Sequence, residues 1–256
     1  MILYGKKAAV TGGSKGIGAA AAVALAKEGA DLLLIGREKE NLLSVQSQIK
    51  SLGRECEFIQ MDVGNPENTK RFEEYLEFFG GLDIYVNNAA FTMRKSFMET
   101  SYDEMFSLFK TNFFGASLMT QAAARNMKKN GRGGVITIVT SINAVSALPS
   151  QAIYSCTKAA LESMMKSLAA ELAPYGIRVN SVAPGAILTD MNDNYTPEKI
   201  AEVEKSIALG RVGNVDEIAD VILFLCSSAA RYLTGSTIIA DGGSLLRSIG
   251  KPTEKR

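Results

Sequence analysis

The side chains best placed by type and spacing for acid–base chemistry are Tyr154 and Lys158, in the stretch QAIYSCTKAA. Four residues make about one helical turn, so a helix would put both on one face. A phenol ordinarily titrates near ~10 and a lysine ammonium near ~10.4. An ammonium held beside a phenol favours the phenolate, so the pair is expected to lower the phenol's pKa and give a proton donor or acceptor usable near neutral pH. Ser141 closes the apolar run VITIVTS, and a strand ending there brings its hydroxyl toward the same spot. The spacing alone is common, and a second copy, Tyr195 and Lys199 in NYTPEK, exists. There Thr196 and Pro197 read as an N-cap and first helical position, which leaves Tyr195 outside the helix and makes that pair accidental.

Composition narrows the chemistry further. The chain of 256 residues contains no histidine, which removes Ser-His-Asp and Cys-His catalysis, histidine metal sites and histidine bases. Acid–base work must then come from Tyr, Lys, Asp, Glu or water. The letters GGSKG spell a nucleophile-elbow pattern, but no histidine exists to complete its triad. Two S-x-x-K matches, at Ser155 and Ser163, lack the companion S-D-N and K-T-G motifs. Cys56, Cys156 and Cys226 show no C-x-x-C or zinc spacing and read as small hydrophobes, so no metal site is expected. A net charge of +1 and 46% hydrophobic residues describe an ordinary globular chain with no footprint for nucleic acid or a membrane surface. No apolar run approaches a membrane span, and the lysines near the N-terminus follow the apolar start rather than precede it, against a signal peptide. A cytoplasmic protein is expected.

The elements that must position these residues alternate strand and helix. Strands are expected at Lys7–Thr11, Leu32–Ile35, Glu57–Met61, Leu82–Val86, Val135–Val139, Ile177–Val182 and Ser236–Ala240. Helices are expected at Ala19–Glu28, Glu38–Leu52, from Pro66 to about Phe79, over Tyr102–Lys129 with an interruption at Gly115, from about Ala152 to Ala173, and at Val215–Cys226. This alternation predicts an α/β fold with one doubly wound parallel sheet, helices on both faces, in a single domain over 1–256. The helix carrying Tyr154 is apolar nearly all round, so it is expected to pack on the sheet and on a second surface, a partner subunit being the natural candidate and a merely large core the alternative. Thr189–Gly210 reads as a polar lid, and the tail after Arg247 as loose.

The first strand runs into GGSKGIG and then a helix, the context of a phosphate-binding turn. Gly12, Gly16 and Gly18 allow backbone to approach a pyrophosphate. An NAD site commonly places Asp or Glu at the end of the second strand, whereas this chain has Gly36 and then Arg37. Lys15 adds a second cation in the glycine loop, and two cations without a carboxylate suit a 2′-phosphate. NADP(H) is therefore favoured, with NAD(H) possible; the alternative for Arg37 is pairing with Glu38 or Glu40. Asp62, before Val63, is placed to meet an adenine amino group, and Asn87-Asn88-Ala89-Ala90 suits backbone close to a ligand. Asn112 stands among aromatics in mid-helix, where a kink would free a carbonyl to hold a water; the alternative is a surface or local backbone bond.

TGGSKGIG, NNAA, Asn112, Ser141, Tyr154 with Lys158, and PGAILT at Pro184–Thr189, in this order, resemble the short-chain dehydrogenase/reductase family over about Lys6 to Ser244. Ala90 departs from the glycine more usual there. The resemblance implies that Tyr154 exchanges the proton with the substrate oxygen. Lys158 would hold the nicotinamide ribose and lower the tyrosine pKa, Ser141 bond the carbonyl, and Asn112 hold a water. It further implies cofactor contacts from Gly12, Ser14, Lys15, Gly16, Ile17, Arg37, Asp62, Val63, Asn88, Ile187 and Thr189. It implies a homotetramer that interconverts a small-molecule ketone and a secondary alcohol without a metal. Phe91, Met93, Ala144, Gln151, Gly185 and Met191 are expected around the substrate and allow a sugar, a 3-oxoacyl thioester, a steroid or an alicyclic ketone. Carrier-protein reductases of the family commonly have a basic residue where Tyr175 stands, although Lys128 and Lys129 offer charge for an acidic carrier.

Overall fold

Residues that alternate between two apolar surfaces force the sheet into the middle of the molecule. Ala8, Val10, Leu32, Leu34, Ile84 and Val86 face one core; Ala9, Leu33, Ile35, Ile59, Tyr85, Ile136 and Ile138 face the other. Strands buried on both faces need helices on both sides, as in parallel α/β sheets. A computed structural model describes residues 1–146, 148–189 and 196–246. Its elements run β1 (Lys7–Thr11), α1 (Gly16–Lys27), β2 (Asp31–Gly36), α2 (Lys39–Ser51), β3 (Cys56–Gln60), α3 (Asn68–Phe78) and β4 (Ile84–Asn87). They continue with α4 (Tyr102–Phe109), α5 (Ala116–Asn130), β5 (Gly134–Val139), α6 (Ala152–Leu172), β6 (Ile177–Pro184), α7 (Pro197–Glu204), α8 (Val215–Cys226) and β7 (Thr237–Ala240).

All seven strands are parallel, in the order β3-β2-β1-β4-β5-β6-β7. The doubly wound sheet expected from the sequence therefore forms. Helices α1, α2 and α8 cover one face, and α3, α5 and α6 the other. The chain reverses direction of travel between β1 and β4, and ligands of such sheets bind beyond the strand ends at that point.

Three differences from the sequence-based elements bear on the site. The first helix begins at Gly16, earlier than Ala19, because the glycine turn closes directly into it. The helical region over Tyr102–Lys129 breaks into α4 and α5 around a π-helical turn, Lys110–Gly115, which holds Asn112. Strand β6 runs on to Pro184, since Ala183 and Pro184 pair with Ile239 and Ala240. Helix α6 buries Thr157, Lys158, Leu161, Met165 and Ala169, while Ile153, Ala160, Met164 and Leu168 are half-buried.

Thr196 caps α7 through its side chain, with Pro197 at the first position, as expected. Cys56 and Cys226 are buried, whereas Cys156 is exposed on α6. Among the described residues no helix is long and apolar enough to cross a membrane. Tyr195, Met191 and the tail after Arg247 lie outside the described residues.

Candidate active site

A cavity of about 590 Å³ opens beyond the C-terminal ends of the strands. Gly12, Ser14, Lys15, Gly16, Ile17, Arg37, Asp62, Val63, Asn88, Ser141, Tyr154, Ile187 and Thr189 all line it, although they come from across the chain. Lys158 and Asn112 do not line it; both are buried behind it. Of the residues expected around the substrate, Phe91, Gln151 and Gly185 reach the cavity and Met93 and Ala144 do not. Sequence reasoning missed Thr92, Arg94, Asn143, Ser146, Leu148, Val203, Ser206, Ser244 and Leu245, which also line it. These sit on connecting segments and on α7, where no spacing rule marks which side chain turns inward.

The glycine turn is held against β4. Gly12 has φ +67, a conformation that favours glycine, and a Cβ there would stand 2.7 Å from Asn88 Nδ2. A Cβ on Gly18 would overlap the Gly12 carbonyl oxygen. Asn88 Nδ2 donates to the Thr11 carbonyl at 3.0 Å, and Thr11 Oγ1 accepts from the N–H groups of Asn88 and Ala89 at 3.0 and 3.1 Å. The first turn of α1 has no side-chain cap and no acidic residue. Its N–H groups, with the positive end of the helix dipole, face a cradle that a side chain would fill, which fits a pyrophosphate.

Two cations flank the end of β2. Lys15 Nζ stands 3.1 Å from Glu38 Oε1, and Asn41 Nδ2 donates to Glu38 Oε2 at 2.6 Å. Glu38 is therefore engaged with Lys15 rather than with Arg37. The Arg37 guanidinium is exposed with no ion-pair partner among the described residues. The expected pair of cations without a carboxylate is therefore not what the fold makes: Glu38 lines the cleft and neutralises Lys15, and Arg37 is left as the cation open to a 2′-phosphate. Asp62 Oδ1 accepts from the Gly64 N–H at 2.9 Å in a local turn, and the residue is exposed at the cavity wall.

At the other end, β5 delivers Ser141 and α6 delivers Tyr154 and Lys158. The Asn143 N–H donates to Ser141 Oγ at 3.1 Å, which leaves the Ser141 proton available to other acceptors. Lys158 is 3% exposed, and its Nζ donates to the Val139 carbonyl at 2.9 Å and lies 5.8 Å from the Tyr154 ring centre. Burial pulls Lys158 down to about 8. Burial also pushes the Tyr154 phenol up to about 12, against a smaller lowering by the Ser141 hydroxyl. This corrects the expectation that the ammonium acidifies the phenol: the Lys158 head is drawn to a backbone carbonyl, and desolvation of the phenolate dominates.

Asn112 is fully buried, not a surface residue. Its Oδ1 accepts from the Phe91 N–H at 3.0 Å, and its Nδ2 donates to the Phe91 carbonyl at 2.8 Å and to Thr157 Oγ1 at 3.3 Å. Thr157 Oγ1 in turn donates to the Tyr154 carbonyl at 2.7 Å. The π-turn thus ties the segment after β4 to the helix that carries Tyr154.

A nucleotide-sized cleft at the sheet's reversal point, with a glycine cradle at one end and half-buried Ser141 and Tyr154 at the other, is that of a dinucleotide-binding oxidoreductase. The chain belongs to the short-chain dehydrogenase/reductase family and is an NAD(P)-dependent oxidoreductase. A family model described as enoyl-(acyl carrier protein) reductase matches residues 12–244. An L-rhamnose 1-dehydrogenase (NAD(P)(+)) of Sphingomonas is 39% identical over 246 residues, 94% of this chain and 97% of that protein. A 3-oxoacyl acyl-carrier-protein reductase of Aquifex aeolicus is 39% identical over 243 residues, 94% of this chain and 98% of that protein. A crystal structure of a short-chain dehydrogenase from Burkholderia cenocepacia in complex with NADP superposes with a TM-score of 0.90 at 34% identity, covering 96% of this chain and 100% of that one.

Proposed function

We propose that the chain is an NADP(H)-dependent oxidoreductase that interconverts a ketone and a secondary alcohol, with Tyr154 as the proton-exchanging group. The carrying observation is that Tyr154 and Ser141 share one end of a cleft whose other end is the glycine cradle. A bound nicotinamide supplies or accepts the hydride. Ser141 orients the substrate oxygen through the hydroxyl proton that the Asn143 N–H leaves unengaged. Tyr154 gives that oxygen its proton in reduction. A phenol held near 12 is protonated across the neutral range, which suits this direction. Lys158, behind it and bonded to the Val139 carbonyl, would reach the ribose only by turning its Nζ from that carbonyl into the cleft. Asn112 positions the segment around Phe91 and, through Thr157, the Tyr154 backbone, and its turn would hold a water of the proton path.

Gly12, Ser14, Gly16 and Ile17 would hold the pyrophosphate and adjoining ribose, Asp62, Val63 and Asn88 the adenosine side, and Ile187 and Thr189 the nicotinamide; all of them line the cleft. Arg37, which has no ion-pair partner among the described residues, favours the 2′-phosphate of NADP(H), and Lys15 would add to it only on release from Glu38. The NADP complex of the similar Burkholderia protein supports the same preference. An acidic acyl carrier is disfavoured by the engagement of its candidate lysines. Lys128 Nζ donates to Tyr175 Oη at 3.0 Å, and Lys129 pairs with Glu77 at 2.8 Å. The chain works as one domain in the cytoplasm, as a homotetramer, for which exposed Tyr102, Phe106 and Phe114 offer apolar surface beside the π-turn.

The test is NADPH oxidation with a ketone panel. Tyr154→Phe is expected to lower kcat by about a hundredfold or more while NADPH affinity stays within about threefold of the parent. Turnover unchanged in that variant would overturn the assignment.

A further inference from the structure

The cleft holds an anion of the protein's own beside the end of β2. Glu38, Lys15 and Arg37 all line that end. Glu38 stands at the N-cap of α2, where a carboxylate ordinarily accepts from the open N–H groups of the first turn. Its side chain caps none of them. Instead Oε1 lies 3.1 Å from Lys15 Nζ, and Oε2 accepts from Asn41 Nδ2 at 2.6 Å. Both carboxylate oxygens are thereby engaged, and the ion pair bridges the glycine turn to the start of α2. The packing disfavours a carboxylate nearer the strand. A Cβ on Gly36 would stand 3.2 Å from Ser14 Oγ and 3.3 Å from Leu42 Cδ2, so a side chain there would press on the glycine turn. Glu38 is the first acidic side chain after β2, and the fold sets it on the cation of that turn.

Charge decides what this arrangement does to a nucleotide. A phosphate monoester carries a charge of about −1.5 to −2 near neutral pH. Lys15 and Arg37 each offer it a positive charge, and Glu38 cancels one of them. A 2′-phosphate must take Lys15 from Glu38 and then lie beside a carboxylate of its own sign. A 2′-hydroxyl meets no such opposition: it can donate to Glu38, whose oxygens keep acceptor capacity, while the ion pair stays closed. The Lys15 and Glu38 side chains are 48% and 43% exposed, so the pair is weak enough to open. Glu38 thus competes with a phosphate for Lys15 and does not block it.

On the reading of this cleft as a dinucleotide site, we infer that Glu38 is a specificity-determining residue: its carboxylate occupies Lys15 in the place of a 2′-phosphate, so that NADP(H) must displace it and NAD(H) need not. Lys15 is then a cation held in reserve, and the preference for NADP(H) is smaller than Lys15 and Arg37 would give without Glu38.

The experiment measures binding and needs no turnover. NADPH and NADH differ by the 2′-phosphate alone, and fluorescence titration gives the Kd of each for the parent, for Glu38→Gln and for the double variant Lys15→Met/Glu38→Gln. Glutamine keeps the length of the side chain and removes its charge. Glu38→Gln is expected to tighten NADPH by about fivefold, the scale of one exposed charge interaction, and to leave NADH level or weaker by no more than about threefold. The NADH value also serves as the control that the variants are folded. In the double variant NADPH affinity is expected to return to within about twofold of the parent, because the gain comes from the Lys15 that Glu38 releases. Unchanged NADPH affinity in Glu38→Gln overturns the inference, and so does a gain that survives Lys15→Met; both outcomes leave the dinucleotide reading standing. Failure of the parent to bind either nucleotide overturns that reading itself, and the role of Glu38 with it.

Discussion

At the scale of single residues, Lys158 combines two demands that pull in opposite directions. Its position places an ammonium behind Tyr154, yet burial holds it at about 8 against an ordinary 10.5. Between those values the unfolded chain binds the proton and the folded chain does not, so this group's contribution to stability rises with pH across that window. Below about 8 both states are charged and the full desolvation cost is present. Lys158→Met is therefore expected to be more stable than the parent near pH 7, and that advantage should shrink as pH climbs from about 8 toward 10.5. Urea denaturation of both proteins across that range measures the difference; a constant gap would contradict the burial argument. The pairing of Tyr154 with Lys158 on one helix was legible from spacing. The direction of the phenol's shift was not, because it depends on the Val139 carbonyl that captures the ammonium and on how deeply both groups lie.

At the scale of elements, the π-turn between α4 and α5 is the feature that joins structure to site. A glycine interrupting a long helical pattern was visible in the sequence, but not what it permits. A Cβ on Gly115 would overlap the Val63 carbonyl oxygen and crowd the Gly64 nitrogen at 3.1 Å. Val63 lines the cleft, so a shift there reaches the site. Gly115→Ala is expected to destabilise the fold by about 1–3 kcal/mol, the range for overpacking, and to weaken NADPH binding as well. Urea midpoints and a fluorescence titration with NADPH report the two effects. Stability and affinity both unchanged would mean that the backbone yields freely at this contact. Strands were easier to read, since both faces are buried and the apolar runs are continuous. The boundary of β6 was missed because its last residues are held by pairing with β7, a strand far along the chain.

At the scale of the whole molecule, the cleft gathers residues from Gly12 to Leu245, so a ligand filling it stabilises the entire fold. NADPH at about a hundred times its Kd is expected to add about 2.7 kcal/mol. For a chain of this size that corresponds to a rise in Tm of about 5–10 °C. If Lys15 and Arg37 read the 2′-phosphate, NADPH should raise Tm more than an equal concentration of NADH does. Arg37→Ala should remove most of that difference. Equal shifts for both nucleotides in the parent protein would count against the 2′-phosphate argument. The engagement of Glu38 with Lys15 is a whole-fold outcome too, because it depends on how the glycine turn and the start of α2 approach each other.

Residue types and local order were enough for the parallel α/β architecture, the glycine cradle, the Ser141, Tyr154 and Lys158 group, and the exclusion of histidine chemistry. Each of those follows from periodicity, from a short motif or from composition, which are local properties of a chain. Only the folded arrangement decided which side chains behind and beside that group matter. Asn112 bonds to Phe91 and Thr157, and Gln151 bonds to Thr92, across long stretches of sequence with no shared spacing. Such contacts are set by strand order and by the depth of burial. For the same reason the protonation of Tyr154 was decided by its surroundings and not by the lysine four residues on.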